Sequence, residues 1–453
     1  MNNININTKM HTYSKYQILT EETPNIDEIH HMLLQVGKNI PIDTKIIPII
    51  KEGSFTGIWT VKTDDILVDI KLFKGTTSSV DYMLFDGDID LTNGDAGKAL
   101  VVLESTKTND KQSRNTAVMQ RISKFIVFKK MYPNSNAKLI MFYLESKWKD
   151  NLTDTAMFGF KMMTLLGIEL YSVVNKKIID LKLKYNITPF RTDDELINFK
   201  NNIKVKKGNV SVRITKENNV YKITGKLDKG DENSPYYGKL SHDPNKGMLG
   251  AIMNCIEKLN PGSKKILTTH GLNEDSLKKC KNNKFFILLY DINFEFHDIT
   301  FTNTIKLPDK YFKIESEMTE KLATILCDEI SSYNTIFSNH GGCALTNIKG
   351  VDRCVDVGRK MPRPDIVFEN SKEKEIVIIE GKIEKELKKG IKQLSDEHLK
   401  DFITILKKLY PLHNIKKGLC ITIRDVNDIK KYDTLEYPIL FALDNNGKFI
   451  NLL

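Results

Sequence analysis

Two apolar runs near the C-terminal end constrain the fold of this 453-residue chain more than any other feature. Residues 366–368 (Ile-Val-Phe) and 376–379 (Ile-Val-Ile-Ile) flank a polar stretch, Glu-Asn-Ser-Lys-Glu-Lys-Glu, at 369–375. Short apolar runs bounded by polar, turn-forming residues read as buried strands. The polar stretch is long enough for an antiparallel return. A hairpin then brings Asp365, at the start of the first strand, beside Glu380, at the end of the second. Side chains alternate along a strand, so Glu380 and Lys382 point the same way. Two carboxylates and one ammonium are predicted to converge on one spot.

Those residue types suit one kind of chemistry. Mg2+ takes a few carboxylate oxygens and fills its shell with waters and substrate phosphate oxygens. Asp365 and Glu380 would supply carboxylates, and the carbonyl of Gly381 a third oxygen. A metal held there would activate water and stabilise charge on a scissile phosphate. Lys382 would position that water or hold phosphate oxygens as a point charge. The two acids help keep it charged, whereas burial alone would neutralise it.

The segment 364–382 resembles the PD-(D/E)XK nuclease superfamily, which includes most restriction endonucleases. Pro364-Asp365, fourteen intervening residues and Glu380-Gly381-Lys382 after an apolar strand match that motif in full. An ordinary surface hairpin with charged ends is the competing reading, because Lys and Glu are abundant. The joint occurrence of Pro-Asp, two apolar strands, a suitable hairpin length and an inward carboxylate favours the resemblance.

A similar layout occurs earlier. Asp81 opens one strand, Leu100-Val-Val-Leu103 forms another, and Glu104-Ser105-Thr106-Lys107 follows, with twenty-two residues between Asp81 and Glu104. Here two residues, not one, separate acid and lysine. In a regular strand Glu104 and Lys107 would face opposite ways, and the register position for the acid is Ser105. A bulge after Glu104 would restore convergence. Otherwise the site is degenerate and only shapes a DNA-binding domain. The stretch 109–125 carries Arg114, Gln120, Arg121 and Lys124, which would contact phosphates and base edges if its helix faced DNA. Two nuclease-like cores in one chain resemble type II restriction endonucleases in which one polypeptide carries both strand-cleaving sites. A homodimer cuts two antiparallel strands by symmetry; a monomer needs two sites of its own.

The length predicts two or three domains. The boundaries read as 1–195, an N-terminal restriction-endonuclease-like domain; 196–310, a middle α+β region for DNA recognition or clamping; and 311–453, a C-terminal nuclease domain. The fold class is therefore multidomain α/β, with two mixed-sheet cores. Strands are expected at 58–61, 66–70, 80–85, 99–103, 138–144, 265–269, 285–290 and 418–423, and a meander over 210–227. Helices are expected at 26–36, 117–131, 248–259, 315–331, 382–394 and 397–409.

The net charge of +10 fits a nucleic-acid partner, although a Lys-, Asn- and Ile-rich composition contributes to it. No apolar run is long enough to span a bilayer. The polar start of the chain lacks a signal-peptide core, and the six scattered cysteines form no C-x-x-C pair, so a reducing cytoplasmic setting is expected. His340, Cys343 and Cys354 fit no zinc-ribbon spacing and lack a fourth ligand. Glu329 is a candidate third carboxylate, with Glu315, Glu317 and Glu320 competing. Arg359, Lys360 and Arg363 precede Asp365 and would hold a neighbouring phosphate. His242 and His270 read as structural loop residues, and Trp59 and Trp148 as core or interface. Gly247 and Gly250 near a helix start would suit a phosphate, but no Walker run exists, so nucleotide hydrolysis is unsupported.

Taken with the resemblance, these features imply an Mg2+-dependent, sequence-specific endonuclease acting on double-stranded DNA as monomer or homodimer. Asp365, Glu380 and Lys382 would form one site and Asp81, Glu104 and Lys107 another, and a cognate DNA methyltransferase would accompany the enzyme. The alternatives are a structure-directed repair or recombination nuclease and a non-catalytic DNA-binding protein on the same fold. An acyl or carbohydrate hydrolase lacks a nucleophile motif.

Overall fold

The computed structural model describes residues 13–41, 43–51, 54–75, 80–90, 95–106, 116–143, 152–174, 177–203, 212–226, 246–270, 284–297, 299–300, 305, 307, 312–340, 343–346 and 362–453. The chain divides into two compact units that alternate along the sequence. One comprises Met1–Pro24, Ile42–Lys74 and Phe312–Leu453, the other Asn25–Pro41 and Gly75–Tyr311. They are called here the C-terminal and the central unit. Residues 196–310, read from the sequence as a separate middle region, belong to the central unit together with 75–195. Among the described residues no helix is long and apolar enough to cross a membrane.

The fold is mixed α/β, with parallel and antiparallel strands in the same sheets. In the C-terminal unit, Ile366–Asn370 runs antiparallel to Glu375–Ile383. The latter runs parallel to Asn414–Ile423, and that strand parallel to Ile439–Asp444. Phe449–Asn451 closes the row antiparallel. The hairpin turn is set locally. The side chain of Asn370 accepts from the N–H groups of Lys372 and Glu373 (both 3.1 Å), and Lys374 takes a left-handed φ of 51°. Asn is suited to this because its short amide mimics a backbone turn.

The central unit repeats this arrangement strand for strand. Tyr82–Asp86 is antiparallel to Val101–Thr106, which is parallel to Lys138–Tyr143. Ile168–Val174 follows in parallel and Lys177–Asp180 closes the row antiparallel. Helices fill the first crossover in both units: Thr116–Met131 in one, Leu387–Leu394 and Lys400–Leu409 in the other. Parallel neighbours need such a crossover. The central unit also holds a second sheet in the order Arg213–Glu217, Val220–Lys226, Lys264–His270, Phe294–Phe296.

Several elements depart from the sequence expectation. Residues 285–290 were predicted as a strand, but Lys284–Leu288 is a short helix, with Phe285 to Leu288 all buried. A short apolar run has no period to distinguish the two, and burial on every side accommodates either. The predicted helix 315–331 is an α-helix over Ser316–Ile325 followed by a single π turn, Leu326–Ile330. The helix expected from 382 begins at Leu387, because the strand continues through Ile383. His270 ends a strand rather than sitting in a loop.

Candidate functional site

The C-terminal hairpin places its acids as the spacing predicts. Ile366 pairs with Ile379, so Asp365 lies opposite Glu380. One Asp365 oxygen, Oδ2, accepts from the N–H of Gly381 at 2.9 Å. Lys382 Nζ donates to Glu380 Oε1 at 2.5 Å and to the Gly381 carbonyl at 2.7 Å, and it lies 3.5 Å from Asp365 Oδ2. Strand alternation puts Ile376, Ile378, Glu380 and Lys382 on one face. The two isoleucines on that face join a core with Leu394, Phe402 and Leu406 of the crossover helices. Close approach of the first of these helices depends on Gly390. A β-carbon there would sit 2.8 Å from Lys382 Cγ.

Burial governs the electrostatics. Glu380 is 2% exposed, and its Oε2 is buried without a hydrogen-bond partner. Desolvation, then the Asp365 charge, push the Glu380 carboxyl up to about 8, with Lys382 pulling the other way. Burial also works against the Lys382 ammonium, but Glu380 and then Asp365 outweigh it and hold its pKa above the usual lysine value. Two facing acceptors can bond only by taking up a proton or a cation. Among the described residues no cluster of three or more His, Cys, Asp or Glu side chains is arranged to hold a metal ion. The donor set is two carboxylates and one carbonyl, with a buried orphan oxygen. That suits a hard cation that completes its shell with water and substrate.

The third carboxylate near this site is Glu320, not Glu329. Glu329 bonds to Trp59, and burial, then Asp328, raise its pKa. Glu320 lies over Gly381, where a β-carbon would overlap its carboxylate, and its charge helps keep Lys382 protonated. Gly381 projects from the face opposite Glu380, so Glu320 approaches from the other side of the strand.

The central unit builds the same constellation from a different set of elements. Tyr82 pairs with Leu103, which sets Asp81 opposite Glu104. Asp81 Oδ2 accepts from the N–H of Ser105 at 2.7 Å, as Asp365 does from Gly381. The expected bulge after Glu104 does not form. The strand keeps its register with 138–143 through Thr106. Lys107 and Arg114 lie outside the described residues. The cations come instead from the helix Thr116–Met131. Lys124 Nζ donates to Asp81 Oδ1 (3.1 Å) and to Glu104 Oε2 (2.8 Å). Arg121 Nη1 donates to Glu104 and to the Ser105 carbonyl, the latter at 2.9 Å. Both had been expected on a DNA-facing surface; both point into the acidic site. Desolvation, then Asp81, push Glu104 up to about 8 against the pull of Lys124 and Arg121. Burial works to raise Asp81, but Lys124, Arg121 and the Ser105 N–H hold it below the usual carboxylate range.

The remaining candidates separate clearly. Gln120 is exposed on the same helix. Arg363 is half-buried, and its Nη1 has no hydrogen-bond partner. Arg359, Lys360, Cys354, His242 and Trp148 lie outside the described residues. Gly247 and Gly250 are packing glycines: β-carbons there would meet the Met119 carbonyl at 2.9 Å and the Leu288 side chain. Trp59 is buried against Phe55 in the core. Cys255, Cys327 and Cys420 are free thiols. Sequence reasoning named Glu320 only as a competitor of Glu329, and it missed Gly390 and the inward aim of Arg121 and Lys124. Only the last had a signal: Arg121 falls three residues after Val118 and four before Phe125, inside the buried stripe of its helix.

The chain matches no protein-family model, no curated protein and no solved structure.

Proposed function

We propose that this chain is a divalent-metal-dependent endonuclease of the PD-(D/E)XK type. In its more specific form it is a type II restriction enzyme that cuts double-stranded DNA at a defined sequence with Mg2+. The observation that carries the reading is the convergence of Asp365, Glu380 and Lys382 at paired strand ends, with Glu380 Oε2 buried and unpartnered. A buried carboxylate oxygen without a partner costs free energy until a proton or a cation meets it.

In this reading Asp365, Glu380 and the Gly381 carbonyl hold Mg2+, which when bound supplies Lewis-acid stabilisation of the phosphate and an acidified water. The Gly381 N–H orients Asp365 by bonding one of its oxygens. Lys382, kept cationic by the two acids, holds a phosphate oxygen or the attacking water as a positive point. Arg363 offers a further donor to a neighbouring phosphate. Asp81 and Glu104 form a second site for the other strand. The duplicated five-strand arrangement supports this reading, because one chain with two such cores needs no partner to cut both strands. The formal charge of +10 suits the DNA duplex. A cognate DNA methyltransferase would protect the host's own sites.

The test is digestion of long phage DNA in Mg2+ by the parent protein and by Asp365→Ala. Discrete bands from the parent, with nicked products from the variant, are expected. A smear would shift the reading to a nuclease that recognises DNA structure. Full double-strand cutting by Asp365→Ala would sink the site assignment.

A further inference from the structure

The regular strand of the central unit places Thr106 two residues after Glu104, where the C-terminal unit has Lys382 after Glu380. We propose that Lys124, on the helix Thr116–Met131, is the lysine of the central site. It does from the crossover helix what Lys382 does from the strand. This rests on the nuclease reading given above.

The contacts correspond one by one. In each unit the first acid lies opposite the second and accepts from the N–H of the residue after it. In each, a lysine Nζ reaches both carboxylates: 3.1 Å and 2.8 Å for Lys124, 3.5 Å and 2.5 Å for Lys382. Lys382 also holds the carbonyl of the following residue. In the central unit that contact is made by Arg121, on the Ser105 carbonyl. The work of one side chain is thus divided between two, three residues apart on one helix face. A lysine on a neighbouring helix leaves no E-x-K pattern in the sequence. Lys124 is mostly buried, with 19% of its side chain exposed, and both acids are buried with it. A cation between two buried acids is the position a divalent ion would compete for.

The experiment uses the full chain with Lys124→Met, which keeps volume, Lys124→Arg, which keeps charge, and Lys107→Ala, the rival position. Supercoiled plasmid in Mg2+ reads strand cutting. Lys124→Met and Lys124→Arg are expected to stop at nicked circles, the second cut slowed roughly 100-fold or more, and Lys107→Ala to reach linear product. The reverse pattern, or linear product from all three, overturns the proposal. Thermal melting in EDTA and then in Mn2+ gives a readout independent of cutting. Lys124→Met should melt roughly 10 °C below the parent in EDTA, with Mn2+ recovering most of that loss, and Lys124→Arg should stay near the parent. A loss that Mn2+ does not recover marks Lys124 as a structural counter-ion and overturns the proposal. If the parent cuts no DNA, the nuclease reading fails on its own, and the melting pattern still decides whether Lys124 occupies a cation position.

Discussion

At the C-terminal site one ammonium serves two carboxylates, and Glu380 keeps an orphan oxygen. At the central site two cations, Lys124 and Arg121, serve two carboxylates. The backbone device is the same in both: acid opposite acid across an antiparallel pair, and the next N–H gripping the first acid. What differs is the element that supplies positive charge. The strand sets where the acids sit, because register and alternation leave no other choice. The cation is free to come from any neighbour that reaches the same point. The C-terminal site therefore has one cation fewer for the same pair of acids, and in each site burial raises the pKa of the second acid.

The largest effects should come from the acids themselves. On the nuclease reading, Asp365→Ala and Asp81→Ala should each slow cleavage of one strand on the order of 10^3-fold or more. End-labelled duplexes should show the two variants sparing opposite strands. Loss of the same strand in both would mean that the two constellations are not separate sites.

A second asymmetry lies in acid stability. His31 of the central unit is 3% exposed, stacked on Phe142 with ring centroids 4.9 Å apart, and both ring nitrogens lack partners. Burial, then His30, lower its pKa to about 4. Unfolded chains take up the proton near pH 6.5, but the folded protein resists it down to about 4. The stability is thus fully present above pH 6.5 and is lost as pH falls through 4. The loss amounts to about 3 kcal/mol. His31→Phe should flatten the pH dependence of urea unfolding across that window; an unchanged slope would refute this.

Gly390 offers a smaller and one-sided perturbation. Alanine there would press on Lys382 Cγ (2.8 Å) and on the core side chain of Leu419 (3.0 Å), and on neither acid. A roughly tenfold loss at the C-terminal site is expected, since catalytic groups tolerate little displacement. On the same reading, cutting of the strand assigned to the central site should be unaffected. Equal slowing of both strands would point to a general packing defect.

The acids were legible in the sequence because strands have a short period and Asp365, Glu380 and Lys382 lie on one hairpin. The five-strand repetition was visible only as a coarse echo, since strand order depends on pairings that no local pattern encodes. Lys124 and Arg121 were noticed as cations, but their direction was not. A helix after a strand can turn its basic residues toward solvent or back over the strand end, and packing of Val118, Ile122 and Phe125 decides which. Glu320 could not be told from the acids beside it, because only the packing of its helix over Gly381 selects it. Gly390 was out of reach because its contact with Lys382 depends on how the next helix folds back over the strand. The helix at 284–288 reads as a strand in the sequence because its short apolar run, Phe285 to Leu288, contains too little periodicity to identify it.

The smallest expected effect concerns Arg363, and on the nuclease reading it tests whether the two sites would grip DNA alike. Arg363 precedes Asp365 by two residues, and its Nη1 is a buried donor with no acceptor. The residue at the same offset before Asp81 is Ser79, which carries no charge. An unpaired guanidinium donor is costly when buried, and a phosphate oxygen would satisfy it with a charge-assisted bond. Arg363→Ala should therefore weaken DNA binding several-fold at low salt and reduce the slope of log affinity against log salt by about one. Ser79→Ala should change neither. Binding measured by anisotropy in Ca2+ over a salt series would separate the cases. An unchanged slope for Arg363→Ala would mean that its orphan donor meets no phosphate, and the C-terminal site would then hold DNA through Lys382 and the metal alone.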